Sequence, residues 1–292
     1  MIFALHLRKF AAFAVLLSLC ALMLAPASAS ERQKTETAPV RLPFAPAEEL
    51  VYEGEFTKAL LRSIDIADLR FTAKLEPANS NDKSQEKSSA TNLHLTVDAV
   101  SKGLLSKLFK LRFRQRIEST VDPVSFAVLQ TTKLDEQGDR RRTSEAVFDH
   151  TAGKVVWTER DPNNPAREPR VVSSELGTAS AVQDLASVFY FLRTQTLVLG
   201  QTFEIAVSDS GRVYRVPVRV VERKKIKSVI GEVYALRVEP EVFGDGRLMR
   251  GKGKVSIWFT EDARHIPVRA HISNEMGSLD IKLKSISSGA KA

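Results

Sequence analysis

Apolar and polar residues alternate along most of this chain, and a period of two marks a half-buried β-strand. In residues 92–100, Leu93, Leu95, Val97 and Ala99 point one way while His94, Thr96 and Asp98 point the other. In 112–121, Phe113, Ile117 and Val121 share a face, and Arg112, Arg114, Arg116 and Glu118 share the opposite one. In 214–220 the inward set is Tyr214, Val216, Val218 and Val220 and the outward set is Arg215 and Arg219. Pro217 interrupts that run without a donor for a ladder, which predicts an edge or a bulge there. Further strands are predicted at 50–57, 64–75, 124–134, 143–148, 154–159, 202–208, 232–240, 254–260, 266–274 and 279–286.

Short turn signals separate these segments. Gln137-Gly138-Asp139 and Gly244-Asp245-Gly246 supply the positive-φ positions that tight hairpins need, so consecutive strands are predicted to pair antiparallel. Two longer polar stretches, 79–91 and 161–170, read as exposed loops. One segment has a different period. In 182–194, Leu185, Val188, Phe189 and Leu192 recur at helical spacing, Asp184 sits near the start and Arg193 near the end, each favourable to the helix dipole. The predicted fold class is therefore all-β: an antiparallel rolled sheet or half-open barrel with one short internal helix. A lone helix in such a fold covers or plugs an end of the sheet, so Phe189, Tyr190 and Phe191 are expected in the core.

The first residues carry an address. His6, Arg8 and Lys9 form a charged start, 10–24 is an apolar run close to the roughly 7–15 residues of a signal h-region, and Ala27-Ser28-Ala29 offers small residues for cleavage. The expected organisation is a signal peptide at 1–29, an extended lead-in at 30–46 containing Pro39, Pro43 and Pro46, and one β-rich domain at 47–288 with two lobes joined near the helix. No later stretch reaches the roughly 18 apolar residues of a membrane-crossing helix. An exported, periplasmic protein follows, and its single cysteine, Cys20, is removed with the signal. The competing reading, in which Cys20 is the lipidated first residue, needs a small residue where Leu19 stands. Loss of Cys20 excludes disulfides, thiolate metal sites and a cysteine nucleophile.

Three short motifs resemble a known family. They are Glu53-Gly54-Glu55, the segment from Asp184 to Arg193 followed by Leu199-Gly200, and Val255-Ser256-Ile257-Trp258-Phe259-Thr260 leading through Asp262 and Arg264 to Pro267-Val268. Together they are similar to the bacterial exported proteins of domain-of-unknown-function family 3108, over roughly residues 48–287. The resemblance implies an exported β-rich domain with a short internal helix. It implies no activity and no catalytic residue.

Candidate chemistry is sparse. His94, His150, His265 and His271 lack metal-ligand spacing. There is no Gly-x-Ser-x-Gly elbow. Adjacent carboxylates such as Glu48-Glu49 and Glu261-Asp262 fall on opposite faces of a strand. Residues 244–254 imitate a phosphate loop, but Gly253 follows the Gly-Lys pair where Ser or Thr is needed. No catalytic residue, cofactor or metal is expected. The one concentrated feature is basic: the chain carries a formal charge of +8, and 212–227 holds Arg212, Arg215, Arg219, Arg223, Lys224, Lys225 and Lys227 against Glu222 alone. A second group comprises Arg112, Arg114, Arg116 and Arg140 to Arg142.

If their strands pair, the two groups merge into one stripe. Arginine's planar fork suits phosphate and carboxylate groups, so Arg112, Arg114, Arg116, Arg215, Arg219 and Arg223 are the candidate anion-binding residues. The plainer reading is a solvated outer face that protects sheet edges. The function expected is non-enzymatic binding or carriage of an anionic lipid, acyl chain or polymer in envelope maintenance, with envelope proteins as alternative partners. Nucleic acid is not an expected partner. An envelope hydrolase is the third reading.

Overall fold

The computed structural model describes residues 42–45, 47–58, 61–77, 91–102, 112–178 and 181–288. The expected signal peptide with Cys20, most of the lead-in and nearly all of the 79–91 loop lie outside the described residues. In chain order the strands are β1 (Glu48–Lys58), β2 (Leu61–Pro77), β3 (Thr91–Ser101), β4 (Phe113–Val121), β5 (Val128–Gln137), β6 (Arg140–Asp149), β7 (Lys154–Arg160), β8 (Arg170–Glu175) and β9 (Val182–Gln183). Helix α1 (Ser187–Thr194) follows, and then β10 (Thr202–Asp209), β11 (Arg212–Ser228), β12 (Gly231–Pro240), β13 (Gly253–Thr260), β14 (Pro267–Asn274) and β15 (Gly277–Ser288).

These strands form one 15-stranded sheet that runs from β8 back to β1, then from β15 back to β9. Two hairpin-built meanders are thus joined at the middle by the antiparallel pair β1–β15, the first and last strands. The sheet is large and not closed, and its two ends, β8 and β9, are consecutive in sequence. Among the described residues the chain adopts the expected all-β architecture with one short helix.

Some boundaries differ from the sequence reading, each for a local reason. The segment expected as strand from residue 124 starts at Val128, because the Asp122 carboxylate accepts the N–H groups of Val124 (2.7 Å) and Ser125 (3.4 Å) and turns the chain. Phe126 then sits at φ +59°, outside any extended conformation. The helix expected over 182–194 is shorter: Val182 and Gln183 pair instead with β10, in parallel. That parallel pair departs from the antiparallel rule expected of consecutive strands, since α1 supplies the crossover a parallel return requires. Pro217 lies inside the sheet rather than at an edge, and the bulge of β11 falls at Val220/Glu222. The Pro217 carbonyl accepts the Glu241 N–H at 2.8 Å, so its nitrogen faces the same side, just past the last β11–β12 pair, Val218–Pro240. The missing donor costs no ladder bond there.

The interior is filled by three apolar clusters. One joins Leu93, Leu95, Val121, Val128, Phe148 and Trp157 to Tyr190 of α1. A second joins Ile205, Val216, Val218, Val238, Ile257 and Phe259 to Leu192 of the same helix. The third gathers Leu50, Tyr52, Trp258, Ile266, Val268 and Leu283 near the β1–β15 seam. The aromatic run of α1 lies in this core, with Phe71 and Phe189 edge-to-face at 5.4 Å. Phe44, in the segment expected as lead-in, is buried against Tyr190 at 5.0 Å.

The β10–β11 turn packs against β7 and β8. Ser174 Oγ donates to the Gly211 carbonyl at 2.6 Å. A Cβ on Gly211 would lie 2.8 Å from Val172 Cβ and 2.9 Å from Trp157 Cβ, and φ is +75° there. Gly200 shares the positive φ, at +85°, but a Cβ there meets nothing within 4 Å. Gly211→Ala is therefore expected to destabilise by about 2–4 kcal/mol and Gly200→Ala by only about 1 kcal/mol. Urea midpoints of the two variants measure the difference, and equal losses would mean that the turn does not bear on β7 and β8.

Candidate functional site

Helix α1 is tied to the sheet at both ends by charged side chains that the sheet buries. At its start, Asp184 Oδ1 accepts the N–H groups of Ala186 (2.9 Å) and Ser187 (2.7 Å), and Ser187 Oγ returns a bond from the Asp184 N–H at 2.9 Å. This reciprocal pairing satisfies donors that the first turn leaves open. The other carboxylate oxygen accepts the hydroxyls of Ser119 on β4 and Thr131 on β5.

At the other end, Arg193 is 2% exposed and forks onto Glu48, itself 6% exposed. Its Nη1 bonds Glu48 Oε1 and its Nη2 reaches Oε2 at 3.1 Å. The guanidinium Nε donates to the Arg264 carbonyl at 3.1 Å. The rings of Phe44 and Tyr190 cover the cation at 5.1 and 5.6 Å. His265 Nδ1 lies 3.0 Å from the Arg193 carbonyl, in a turn where His265 takes φ +41°, and Ala47 beside Glu48 takes φ +66°. Both residues hold a conformation L-residues seldom adopt, which the knot around Arg193 must enforce. Nearby, Tyr52 donates to the Pro267 carbonyl at 2.8 Å. Burial raises the Tyr52 phenol well above its ordinary pKa, so it remains a donor.

Beside the start of α1 lies a cleft of about 30 Å³, lined by Thr131, Lys133, Phe148, Trp157, Asp184 and Ser208 among others. Pockets for small-molecule ligands span roughly 300–1,000 Å³, so this cleft cannot enclose an acyl chain.

The outer face is a lattice of charges. Glu53, Lys282, Arg269, Trp258, Arg237 and Glu222 stand opposite one another across β1, β15, β14, β13, β12 and β11. Lys282 reaches Glu55 at 2.7 Å, Lys284 reaches Glu53 at 2.7 Å, and Lys102 bridges Glu53 and Asp68. Glu53, Glu55 and Asp65 approach closely enough to share a cation, but these lysines already supply the positive charge. Ser256, His271 and Asp280 also form a row across three strands, with His271 Nδ1 3.2 Å from Asp280. The Ser256 hydroxyl is turned to Glu239 at 3.2 Å, away from the pairing a nucleophile and its base require. Partial burial works against the Asp280 carboxylate, yet Arg269 and His271 hold its pKa below the ordinary value.

The six candidate arginines fall into two separate groups. β4 and β11 are not neighbours, so the two groups do not merge across paired strands. Arg114 faces Asp98 at 3.4 Å, Arg116 faces Glu118 at 2.6 Å, and Arg112 is exposed at the start of β4. On the other half, Arg215 meets Glu204 at 3.1 Å, Arg219 meets Glu241 at 2.9 Å, and Arg223 meets Glu261 at 2.8 Å. The buried Glu48–Arg193 fork and the Asp184 bonds to β4 and β5 were missed by sequence reasoning. Only the ends of the helical period, where Asp184 and Arg193 stand, pointed toward them.

A family model described as a protein of unknown function, DUF3108, matches residues 70–284. A crystal structure of a β-barrel-like protein of domain of unknown function DUF1849 from Brucella abortus is similar at 11% identity and TM-score 0.50, covering 85% of this chain and 98% of that one. It shows the fold alone. A Bacteroides fragilis protein with a YmcC-like fold aligns at 8% identity over 86% of this chain and 99% of that one, with a TM-score of 0.30 that carries no argument. No curated protein matches the sequence. Among the described residues, no helix is long and apolar enough to cross a membrane.

Two outcomes follow from these interactions. Arg193→Met is expected to cost about 3–5 kcal/mol in chemical denaturation, because it strands the buried Glu48 carboxylate, and adding Glu48→Gln to it is expected to restore much of the loss. Hydrogen bonds from Lys102 and Lys284 lower the Glu53 pKa from 4.5 to about 2. Glu53 therefore adds stability above pH 4.5 that is lost as pH falls through about 2. Glu53→Gln is expected to flatten that part of the acid unfolding profile, and an unchanged slope would remove Glu53 from the account.

Proposed function

This chain belongs to the DUF3108 family, and we propose that it is an exported, non-enzymatic binding protein of the bacterial envelope that holds an anionic lipid or polymer against the outer face of its sheet. The observation that carries this reading is β11. Arg215 and Arg219 recur at four-residue spacing on its outer face, each about half exposed and each held by a carboxylate in its surroundings, while the bulge at Val220/Glu222 turns Arg223 to the other face. Such pre-positioned forks can exchange a surface carboxylate for a phosphate at little cost, because exposed ion pairs contribute little stability. The filled interior and the small cleft favour a ligand on the outside over one carried in a lumen. Arg112, Arg114 and Arg116 form a second, weaker candidate on β4. Export and a periplasmic location rest on the charged, apolar and small-residue pattern of the first 29 residues.

A second reading, a scaffold for protein partners, has one observation in its favour. β8 ends the sheet, and Val147, Val156 and Val171 are exposed beside that edge. A partner strand added along β8 would use this surface.

Titration of the full exported chain with lipopolysaccharide distinguishes the two. Saturable binding that weakens with salt, and that drops at least about tenfold in an Arg215→Ala, Arg219→Ala variant, is the expected result. Absence of binding to any anionic amphiphile or polymer, with a protein captured instead by crosslinking at β8, would replace the first reading by the second.

A further inference from the structure

β11 and β12 outrun the strands beside them. β10 pairs with β11 only as far as Arg219, and β13 meets β12 only from Ala235, so residues 225–234 form a two-stranded arm beyond the sheet. One face of the arm is held down. Ile226, Ile230 and Val233 pack against the cluster of Tyr52, Trp258 and Val268, and Lys224 lies 5.3 Å from the Trp258 ring. The opposite face, carrying Lys225, Lys227 and Tyr234 with Val221 and Arg223 at its root, looks outward.

That outward face is mixed in composition. Val221, Val229 and Tyr234 are 38–56% exposed, and so are Val198 and Leu199 in the loop at the root of the arm. This loop is fastened beside Val221 by two backbone bonds, Gly200 N–H to the Val220 carbonyl at 2.8 Å and Val220 N–H to the Gln201 carbonyl at 2.9 Å. Exposed large apolar side chains thus stand at the root of the arm (Val198, Leu199, Val221), along it (Tyr234) and in its tip turn (Val229). The cations stand among them: Arg223 is stacked 4.0 Å over Tyr234, Lys225 meets Glu232, and Lys227 forms no ion pair among the described residues.

Apolar side chains, a tyrosine and long cations on one exposed surface match the layering of a membrane interface. There, aromatic rings sit at headgroup depth and lysine stems lie along apolar surface with their charge at the phosphates. A soluble polyanion would engage the cations and leave Val198, Leu199 and Val229 in water. Resting on the function proposed above, we infer that the arm and the 195–201 loop seat the protein on an anionic lipid leaflet, with Val198, Leu199, Val221, Val229 and Tyr234 entering the headgroup layer and Arg223, Lys225 and Lys227 meeting lipid phosphates.

Cosedimentation of the full chain tests this with two kinds of vesicle, phosphatidylcholine alone and a mixture containing phosphatidylglycerol, with soluble polyphosphate measured in parallel. The wild type is expected to partition onto the mixed vesicles and not onto phosphatidylcholine. A Lys225→Ala, Lys227→Ala variant is expected to lose about twenty-five-fold, from roughly fivefold per lysine, while the same two positions changed to Arg retain binding. A Val198→Ser, Leu199→Ser, Val229→Ser variant is expected to lose vesicle binding but keep polyphosphate binding. Vesicle binding untouched by both variants would overturn the assignment to the arm and leave the broader reading standing. Wild type that binds neither vesicles nor polyphosphate would sink both.

Discussion

A sheet this wide that does not close on itself must be held in its curl by something inside it. Here that role falls to the short helix α1, through the fork between Arg193 and Glu48, residues separated by 145 positions in the chain. Removing two charges from water costs several kcal/mol per ion, and the pair persists because both charges are answered. Both carboxylate oxygens of Glu48 are engaged, the guanidinium Nε finds a carbonyl, and two aromatic rings cover the cation. The arrangement fixes β1 against the end of the helix and against the β13–β14 turn. Asp184 does the corresponding work at the other end, binding α1 to β4 and β5.

The consequence for topology is that the helix connects parts of the sheet that no hairpin could. Nearly all strand pairs are local, made between neighbours in sequence. The β1–β15 pair closes the long loop between the two meanders, and α1 then spans from the first meander to the second, with Tyr190 in one cluster and Leu192 in the other. The helix and its aromatic side chains belong to the buried clusters, and the exposed groups stand on the outer face, beside β8 and on the projecting arm. The functional reading follows from where the side chains leave room.

What the sequence disclosed and what it hid divide along the same line. Period-two patterns are local, so Leu93 to Ala99 and Val216 to Val220 could be oriented from the chain alone. The apolar spacing of α1 was equally visible, but its start was not, because Val182 and Gln183 are claimed by β10 from a distance. Asp122 and Phe126 turned the chain inside a run that reads as strand. Glu48 looked like one of two ordinary acids at the beginning of a strand. Alternation correctly put it on the opposite face from Glu49, yet nothing local names Arg193 as its partner. The merging of the arginine groups likewise depended on strand order, which hairpin signals constrain only within each meander.

Strand order also decides what the positive charge can do. Along the row from Glu53 to Glu222 and in the neighbouring rows, most lysines and arginines have a carboxylate within reach, so in the middle of the sheet a cation meets protein first. Beyond the last β10–β11 and β12–β13 pairs the sheet can no longer supply partners from both sides. Among the described residues Lys227 is left without one, and Val221, Val229 and Tyr234 stand in solvent. An arm that outgrows its neighbours therefore exposes charge and hydrophobic surface together. In the arm this coincidence is a product of register, since β10 and β13 stop short of it and leave its two strands without outer neighbours.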